Sequence, residues 1–237
     1  GEDSCFLAIC LFGATGYLWQ FSVRLEEVIF FFWEVFMKKQ RILKIAEISI
    51  LTSLSFIFYL LKFPAAVIIP IFPDFLEFQL SNLPVIIGGF VLGPIEGVIM
   101  VVIRTLLKLP LTHTIGVGEM ADLVIGIATV LTSSLIYRKW HTKKGGQYAL
   151  LFGAIAWVVV ATLANWWFIL PFYIDLLGFD AILGMLKTIP GITESNYMTK
   201  YLLIAIVPFN AMLSGVVSFI ASMVYKRVSN FFKVRES

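Results

Sequence analysis

Charged residues are scarce in this sequence. Asp, Glu, Lys and Arg together make up 14% of the 237 residues, whereas hydrophobic residues make up 59%. Soluble globular domains carry about 25% charged and about 45–50% apolar residues. This deficit of charge excludes an ordinary soluble domain. Recurrent apolar runs of about 20 residues instead predict a polytopic α-helical membrane protein.

Motifs that carry catalysis or hold cofactors are missing as well. The sequence contains no G-x-x-x-x-G-K-[ST] phosphate loop and no H-E-x-x-H metal motif. His113 and His141 have no cluster of other metal ligands beside them, and Cys5 and Cys10 form no metal or redox motif. These absences predict a binding protein rather than an enzyme, with no metal and no catalytic cofactor.

The first 36 residues do not fit the pattern of the rest. Their apolar run, residues 5–21, is short for a membrane span, and it lacks the basic start and small-residue cleavage site of a secretory signal. We therefore predict two parts: an N-terminal extension of unclear role, residues 1–36, and a transmembrane domain, residues 37–237. An interfacial helix is the alternative for the extension.

The transmembrane domain is predicted to be an all-α, six-helix bundle. Its spans are residues 41–61, 82–93, 95–109, 118–137, 148–171 and 200–225. Twelve of the 18 basic residues fall at one predicted side, in residues 38–44, 138–144 and 226–235. The positive-inside rule then places both domain termini in the cytoplasm of a prokaryotic cell, with the 62–81, 110–117 and 172–199 loops outside. The same rule accounts for the basic clusters without nucleic-acid binding.

An irregular stretch, residues 75–97, separates the first span from the third. Irregular backbone near membrane depth survives only where protein buries it or where it lines a cavity. We expect its first part, residues 75–82, to contact a ligand, and Gly93-Pro94 to form a tight turn between two short helices.

Ionisable and amide side chains inside the predicted spans are the candidate site. Arg104 and Lys108 share one helix face, and Glu119 and Asp122 share another. Such groups are costly in a membrane and are functional hypotheses by default, although neutralisation of the two pairs at the interface is the alternative. Ser49 and Ser53, four residues apart in the first span, would let another helix approach closely, either within the bundle or from another subunit.

Two asparagines suggest the chemistry of the ligand. Asn165 lies near the end of the fifth span, and Asn210 follows Pro208 in the sixth. A carboxamide offers both donor and acceptor, which suits the alternating acceptor, donor and acceptor of a pyrimidine-like imide edge. Helix–helix hydrogen bonding is the alternative role for both residues.

With these residues in view, the chain resembles the substrate-binding S components of energy-coupling factor (ECF) transporters, and most of all the riboflavin-specific type. The matching stretches lie within residues 40–226: FLEFQLSNLPVIIGGFVLGPIEGV, IRTLLKL, GVGEMADLVIGIA, ANWWFILPFY and VPFNAMLSG. The resemblance implies six helices in the cell membrane and high-affinity riboflavin capture from outside. It also implies uptake together with a transmembrane coupling subunit and two cytoplasmic ATPases.

The resemblance also implies roles for individual residues. Asn165 and Asn210 would hold the isoalloxazine ring, the first loop would act as a lid, and Ser49 and Ser53 would contact the coupling subunit. The full set of predicted substrate-binding residues is Asn165, Asn210, Glu119, Thr105, Gln79, Asn82, Phe75, Phe78, Arg104, Lys108 and Tyr173.

The sequence departs from the family at Leu213, where relatives often have Lys, and at Arg104 to Lys108, where relatives show K-N-L-L-H. That basic pair could admit the 5′-phosphate of riboflavin (FMN), since Arg and Lys suit phosphate. Three rival functions stay open: an S component for another vitamin, a stand-alone secondary transporter, and a membrane enzyme that uses Glu119 and Asp122.

Overall fold

A computed structural model describes residues 38–73, 75–112 and 115–233 of the chain. The predicted N-terminal extension, residues 1–36, lies outside the described residues. Contacts between Cα atoms divide the chain into two units, 1–47 and 48–237. The described part of the first unit, residues 38–47, is a largely exposed stretch of helix, and the second unit holds the later elements and the cavity described below.

Helices make up most of the described chain. They are α1 (Lys38–Leu60), α2 (Asn82–Val91), α3 (Pro94–Lys108), α4 (Val117–Lys139), α5 (Lys143–Ala164), α6 (Leu170–Leu177), α7 (Phe179–Met185), α8 (Tyr197–Lys200) and α9 (Val207–Lys233). Within the described ranges, four continuous helices are long and apolar enough to cross a membrane: Lys38–Leu60, Val117–Lys139, Lys144–Leu177 and Tyr197–Tyr225. Together with the shorter α2 and α3, they confirm the prediction of an all-α membrane bundle.

The turn between α2 and α3 is the one the sequence predicted. Gly93 has a φ of 125°, which a residue with a side chain rarely adopts, and Pro94 occupies the first turn of α3. A Cβ on Gly97 would lie 3.1 Å from the Cα of Gly89. These glycines therefore allow α2 and α3 to pack closely, and this part of the 75–97 stretch is turn and packing geometry.

Two π-helical segments interrupt the long helices. The first, Asn165–Ile169, joins α5 to α6, and the second, Tyr201–Ile206, joins α8 to α9. Each ends two residues before a proline, Pro171 or Pro208. Proline lacks an N–H and clashes with the carbonyl four residues earlier, and the wider π turn accommodates both problems. The fifth predicted span consequently continues through Pro171 to Leu177 instead of stopping near residue 171.

The loop after α1 carries a small sheet that the sequence did not predict. Strands β1 (Phe63–Pro64) and β2 (Glu77–Phe78) pair antiparallel, with Phe63 opposite Phe78. The two phenyl rings stack with centroids 5.2 Å apart. This pairing brings both ends of the loop together beside the cavity described next.

Candidate functional site

A cavity of about 460 Å³ lies inside the second unit, near the β1–β2 loop. Its walls come from the end of α1, the loop, the facing ends of α3 and α4, both π segments, helices α6 and α7, and the start of α9. Its volume falls within the range of about 300–1,000 Å³ that is typical of cavities for small organic ligands. Aliphatic and aromatic side chains dominate the lining, among them Ile125, Leu170, Ile182, Ile206 and Phe209.

Asn165 lines this cavity at the beginning of the first π segment. Its side-chain Nδ2 donates to the backbone carbonyl of Ala161 (2.8 Å), and its Oδ1 accepts from the Tyr201 hydroxyl (2.7 Å). Tyr201 begins the second π segment and lines the same cavity. One hydrogen bond thus joins the two irregular segments, and the amide is oriented by partners at both of its polar atoms.

Asn210 repeats the arrangement on α9. Its Nδ2 donates to the carbonyl of Ile206 (2.9 Å), and its Oδ1 accepts from the indole Nε1 of Trp157 (3.0 Å). Because an indole N–H can only donate, this contact fixes which end of the amide is oxygen. Asn210 is 7% exposed and Asn165 8% exposed.

The two amides use only part of their hydrogen-bonding capacity on the protein contacts just described. A carboxamide has two N–H donors and two oxygen lone pairs. Asn165 and Asn210 each use one donor within their own helix and one lone pair with an aromatic partner. Each can therefore still offer one donor and one acceptor in the cavity that both residues line.

Charged side chains line another part of the cavity. The Lys62 ammonium contacts both oxygens of Glu77 (2.7 and 2.5 Å), and Gln79 Nε2 donates to Asp122 (2.7 Å). Glu119 accepts a hydrogen bond from the Thr112 hydroxyl at 2.8 Å.

A further cation, Lys108, lies with its Nζ 5.5 Å from the centre of the Tyr59 ring. All of these groups except Thr112 line the cavity.

Seven of the predicted substrate-binding residues line the cavity together: Asn165, Asn210, Glu119, Gln79, Phe75, Lys108 and Tyr173. Four others do not. Arg104 is fully buried, and its Nη1 donates to Asn82 Oδ1 (2.9 Å) and Ser55 Oγ (3.3 Å). Thr105 bonds the Val101 carbonyl of its own helix, and Phe78 stacks on Phe63.

Several site residues were not found by sequence reasoning. Tyr59 and Tyr201 line the cavity, and Trp157, which does not line it, donates a hydrogen bond to Asn210. Tyr201 lies 36 residues from Asn165, and Trp157 lies 53 residues from Asn210. No local pattern links residues so far apart. The prolines that follow the π segments were the available clue, because they mark where the helices widen.

Two remaining predictions concern a partner and a metal. Ser49 and Ser53 are both exposed on α1. Within residues 38–73, 75–112 and 115–233, no group of three His, Cys, Asp or Glu side chains could hold a metal ion.

Comparison with known proteins identifies related chains. The model of the family "ECF transporter, substrate-specific component" matches residues 43–225. The chain is 27% identical over 190 residues to the riboflavin transporter RibU of Staphylococcus aureus, covering 80% of this chain and 92% of that one. It is 25% identical over 200 residues to the riboflavin transporter FmnP of Bacillus subtilis, covering 83% and 97%.

Two further likenesses agree with these. The riboflavin transporter RibU of Lactococcus lactis subsp. cremoris is 30% identical over 188 residues, covering 74% of this chain and 86% of that one. A solved S component of a bacterial ECF transporter superposes with a TM-score of 0.62 at 26% identity, covering 80% of this chain and 97% of that one.

Proposed function

We propose that this chain binds riboflavin in the cavity that Asn165 and Asn210 line. The chain belongs to the family of ECF transporter substrate-specific components. The names of the relatives support this ligand, since they are riboflavin transporters that match most of the chain. The chain acts as a binding subunit without turning its ligand over. Uptake then depends on a separate ATP-driven module, which membership of this family supports, and the missing phosphate loop fits that division of labour.

One observation carries the proposal: two buried carboxamides with spare donors and acceptors line one largely apolar cavity. The imide edge of a flavin alternates acceptor, donor and acceptor, and two oriented amides can satisfy it. The dimethylbenzene end of the ring is apolar and suits the aliphatic and aromatic wall. The ribityl hydroxyls need polar partners, which Gln79, Glu119, Asp122 and Lys108 supply.

An absorption spectrum of the purified full chain tests the proposal directly. A flavin spectrum after purification, or tight one-to-one binding when ligand-free protein is titrated with riboflavin, is the expected result. Absence of riboflavin binding by correctly folded protein contradicts the proposal. Tighter binding of a different vitamin would leave the family assignment intact and would show that riboflavin is not the preferred ligand.

A matched pair of variants assigns the binding to the cavity. Asn210→Ala removes a cavity-lining amide, whereas Asn196→Ala removes an amide that pairs with Thr193 and Gly191 outside the cavity. We expect only the first variant to lose affinity. Equal affinities in both variants would place riboflavin elsewhere.

We further propose that the exposed Ser49 and Ser53 face contacts the transmembrane coupling subunit, which works with two cytoplasmic ATPases. In this orientation both domain termini are cytoplasmic and the β1–β2 loop faces outward. Leucine at both positions should abolish ATP-dependent uptake while leaving riboflavin binding intact. Val159→Phe, which adds bulk at an exposed position of α5, is the control and should transport normally. Uptake that persists in the double leucine variant would contradict the docking role.

A further inference from the structure

Each cavity-lining asparagine accepts a hydrogen bond from an aromatic side chain: Asn165 from Tyr201, which lines the cavity as well, and Asn210 from Trp157, which does not. The Tyr201 hydroxyl bonds Asn165 Oδ1 at 2.7 Å, and the Trp157 indole bonds Asn210 Oδ1 at 3.0 Å. The two donors are themselves 2% and 4% exposed. They are therefore held by packing, and their contacts with the amides are shielded from water.

We propose that Tyr201 and Trp157 are positioning residues that determine which donor and which acceptor Asn165 and Asn210 present to the ligand. The inference rests on the proposed riboflavin function and deepens it. An asparagine amide can rotate by half a turn about its terminal bond, which exchanges its oxygen and its nitrogen. Such an exchange reverses the pattern offered to the imide edge, so that acceptor would meet acceptor.

Two contacts oppose this rotation in each amide. The backbone carbonyl at the fourth preceding residue, that of Ala161 or Ile206, requires an N–H. The aromatic donor requires the oxygen. The indole N–H is the stricter of the two donors, because a tyrosine hydroxyl can also accept a hydrogen bond whereas an indole cannot.

The π segments place these groups. Asn165 opens the first segment and Tyr201 opens the second, so their hydrogen bond spans the two places where the helices widen. π segments inside helices frequently coincide with functional sites. Here the observed consequence is a buried contact between residues 36 positions apart in sequence.

The test uses Tyr201→Phe and Trp157→Phe in the full chain, with riboflavin and an N3-methylated riboflavin as the two probes. Wild type should reject the methylated ligand strongly, because a site built to bind an N–H discriminates against its loss. Each variant should bind riboflavin about tenfold more weakly than wild type, and the preference for riboflavin over the methylated ligand should shrink at least about threefold. A purely structural role would weaken both ligands equally.

A double-variant cycle separates action through the amide from direct contact. Adding Tyr201→Phe to Asn165→Ala should change riboflavin affinity by less than about twofold. A matched control is Tyr137→Phe, which removes a buried hydroxyl that pairs with Tyr225 away from the cavity and should leave both affinities unchanged.

The outcomes are distinguishable. Wild-type protein that binds no riboflavin overturns the proposed function and this inference with it. Wild-type binding with unchanged preference in both phenylalanine variants, or a double variant about tenfold weaker than Asn165→Ala, overturns the positioning role alone. If Tyr201→Phe fails to fold, Trp157→Phe decides the same question at the other amide.

Discussion

Three asparagines in the part of the chain that the structure describes are buried, yet their side chains have different neighbours. Asn82, Asn165 and Asn210 are all less than 10% exposed. The oxygen of Asn82 accepts from the Arg104 guanidinium, and neither of these two residues lines the cavity. The other two amides line it and retain spare donors and acceptors. Burial inside the protein is therefore common to all three amides, and the helix packing around each one decides whether it lines the cavity.

The largest expected effect on riboflavin affinity comes from replacing both cavity-lining amides, Asn165 and Asn210. Asn165→Ala together with Asn210→Ala should weaken riboflavin binding by about a hundredfold or more, because each unpaired buried group costs about 1–3 kcal/mol and about 1.4 kcal/mol is tenfold. Titration of purified protein measures this effect. A loss below about fivefold would mean that the amides are helix–helix contacts only.

Replacing the third amide, Asn82, is expected to lower the stability of the protein and to leave its riboflavin affinity nearly unchanged. Asn82→Ala leaves a buried guanidinium with one acceptor fewer, which should lower the free energy of unfolding by about 1–3 kcal/mol. In a chain of this size, each kcal/mol corresponds to about 2–4 °C in the thermal midpoint. Riboflavin affinity of the folded variant should stay within about threefold of wild type. A loss of affinity equal to that of Asn210→Ala would show that Asn82 contributes to riboflavin binding as much as the cavity-lining amides do.

Lys108 and Arg104 differ in the same way as the asparagines, although they lie only four residues apart. Lys108 lines the cavity, whereas Arg104 does not. Glu77, Glu119 and Asp122 line the same cavity, and Glu77 already pairs with Lys62. We therefore expect FMN to bind about tenfold more weakly than riboflavin, because its phosphate meets these carboxylates.

The same charges predict which variants alter this preference. Glu119→Gln should narrow the difference between riboflavin and FMN, and Lys108→Met should widen it, whereas Arg104→Lys should leave the ratio unchanged. Parallel titrations with both ligands measure the ratio. Equal affinities of wild-type protein for the two ligands would contradict this reading of the cavity charges.

The smallest effect is expected at the β1–β2 loop. The Lys62 and Glu77 side chains are 20% and 40% exposed, so their ion pair is partly screened by water. Lys62→Met should change riboflavin affinity by less than about threefold, and the change should diminish in high salt. A loss comparable to that of Asn210→Ala would show that this ion pair belongs to the binding machinery.

Much of the fold was readable from the sequence because its determinants are local. Long apolar runs predict membrane helices, and the Gly93-Pro94 pair predicts the turn between α2 and α3. The fifth helix extends beyond the predicted span to Leu177, because a π segment before Pro171 accommodates the proline. The β1–β2 pairing was also missed, because its two-residue strands are too short to leave a pattern.

Composition and hydropathy alone predict a helical membrane protein, and they make Asn165 and Asn210 candidates, because apolar runs and rare amides within them are visible residue by residue. The packing of the helices brings these amides to one cavity, pairs Arg104 with Asn82 outside it, and places Tyr201 and Trp157 within hydrogen-bond distance of the two amides. The reason is physical: each of these contacts joins residues on different elements, 22 to 53 positions apart. Their proximity depends on how the helices pack, which no local pattern records.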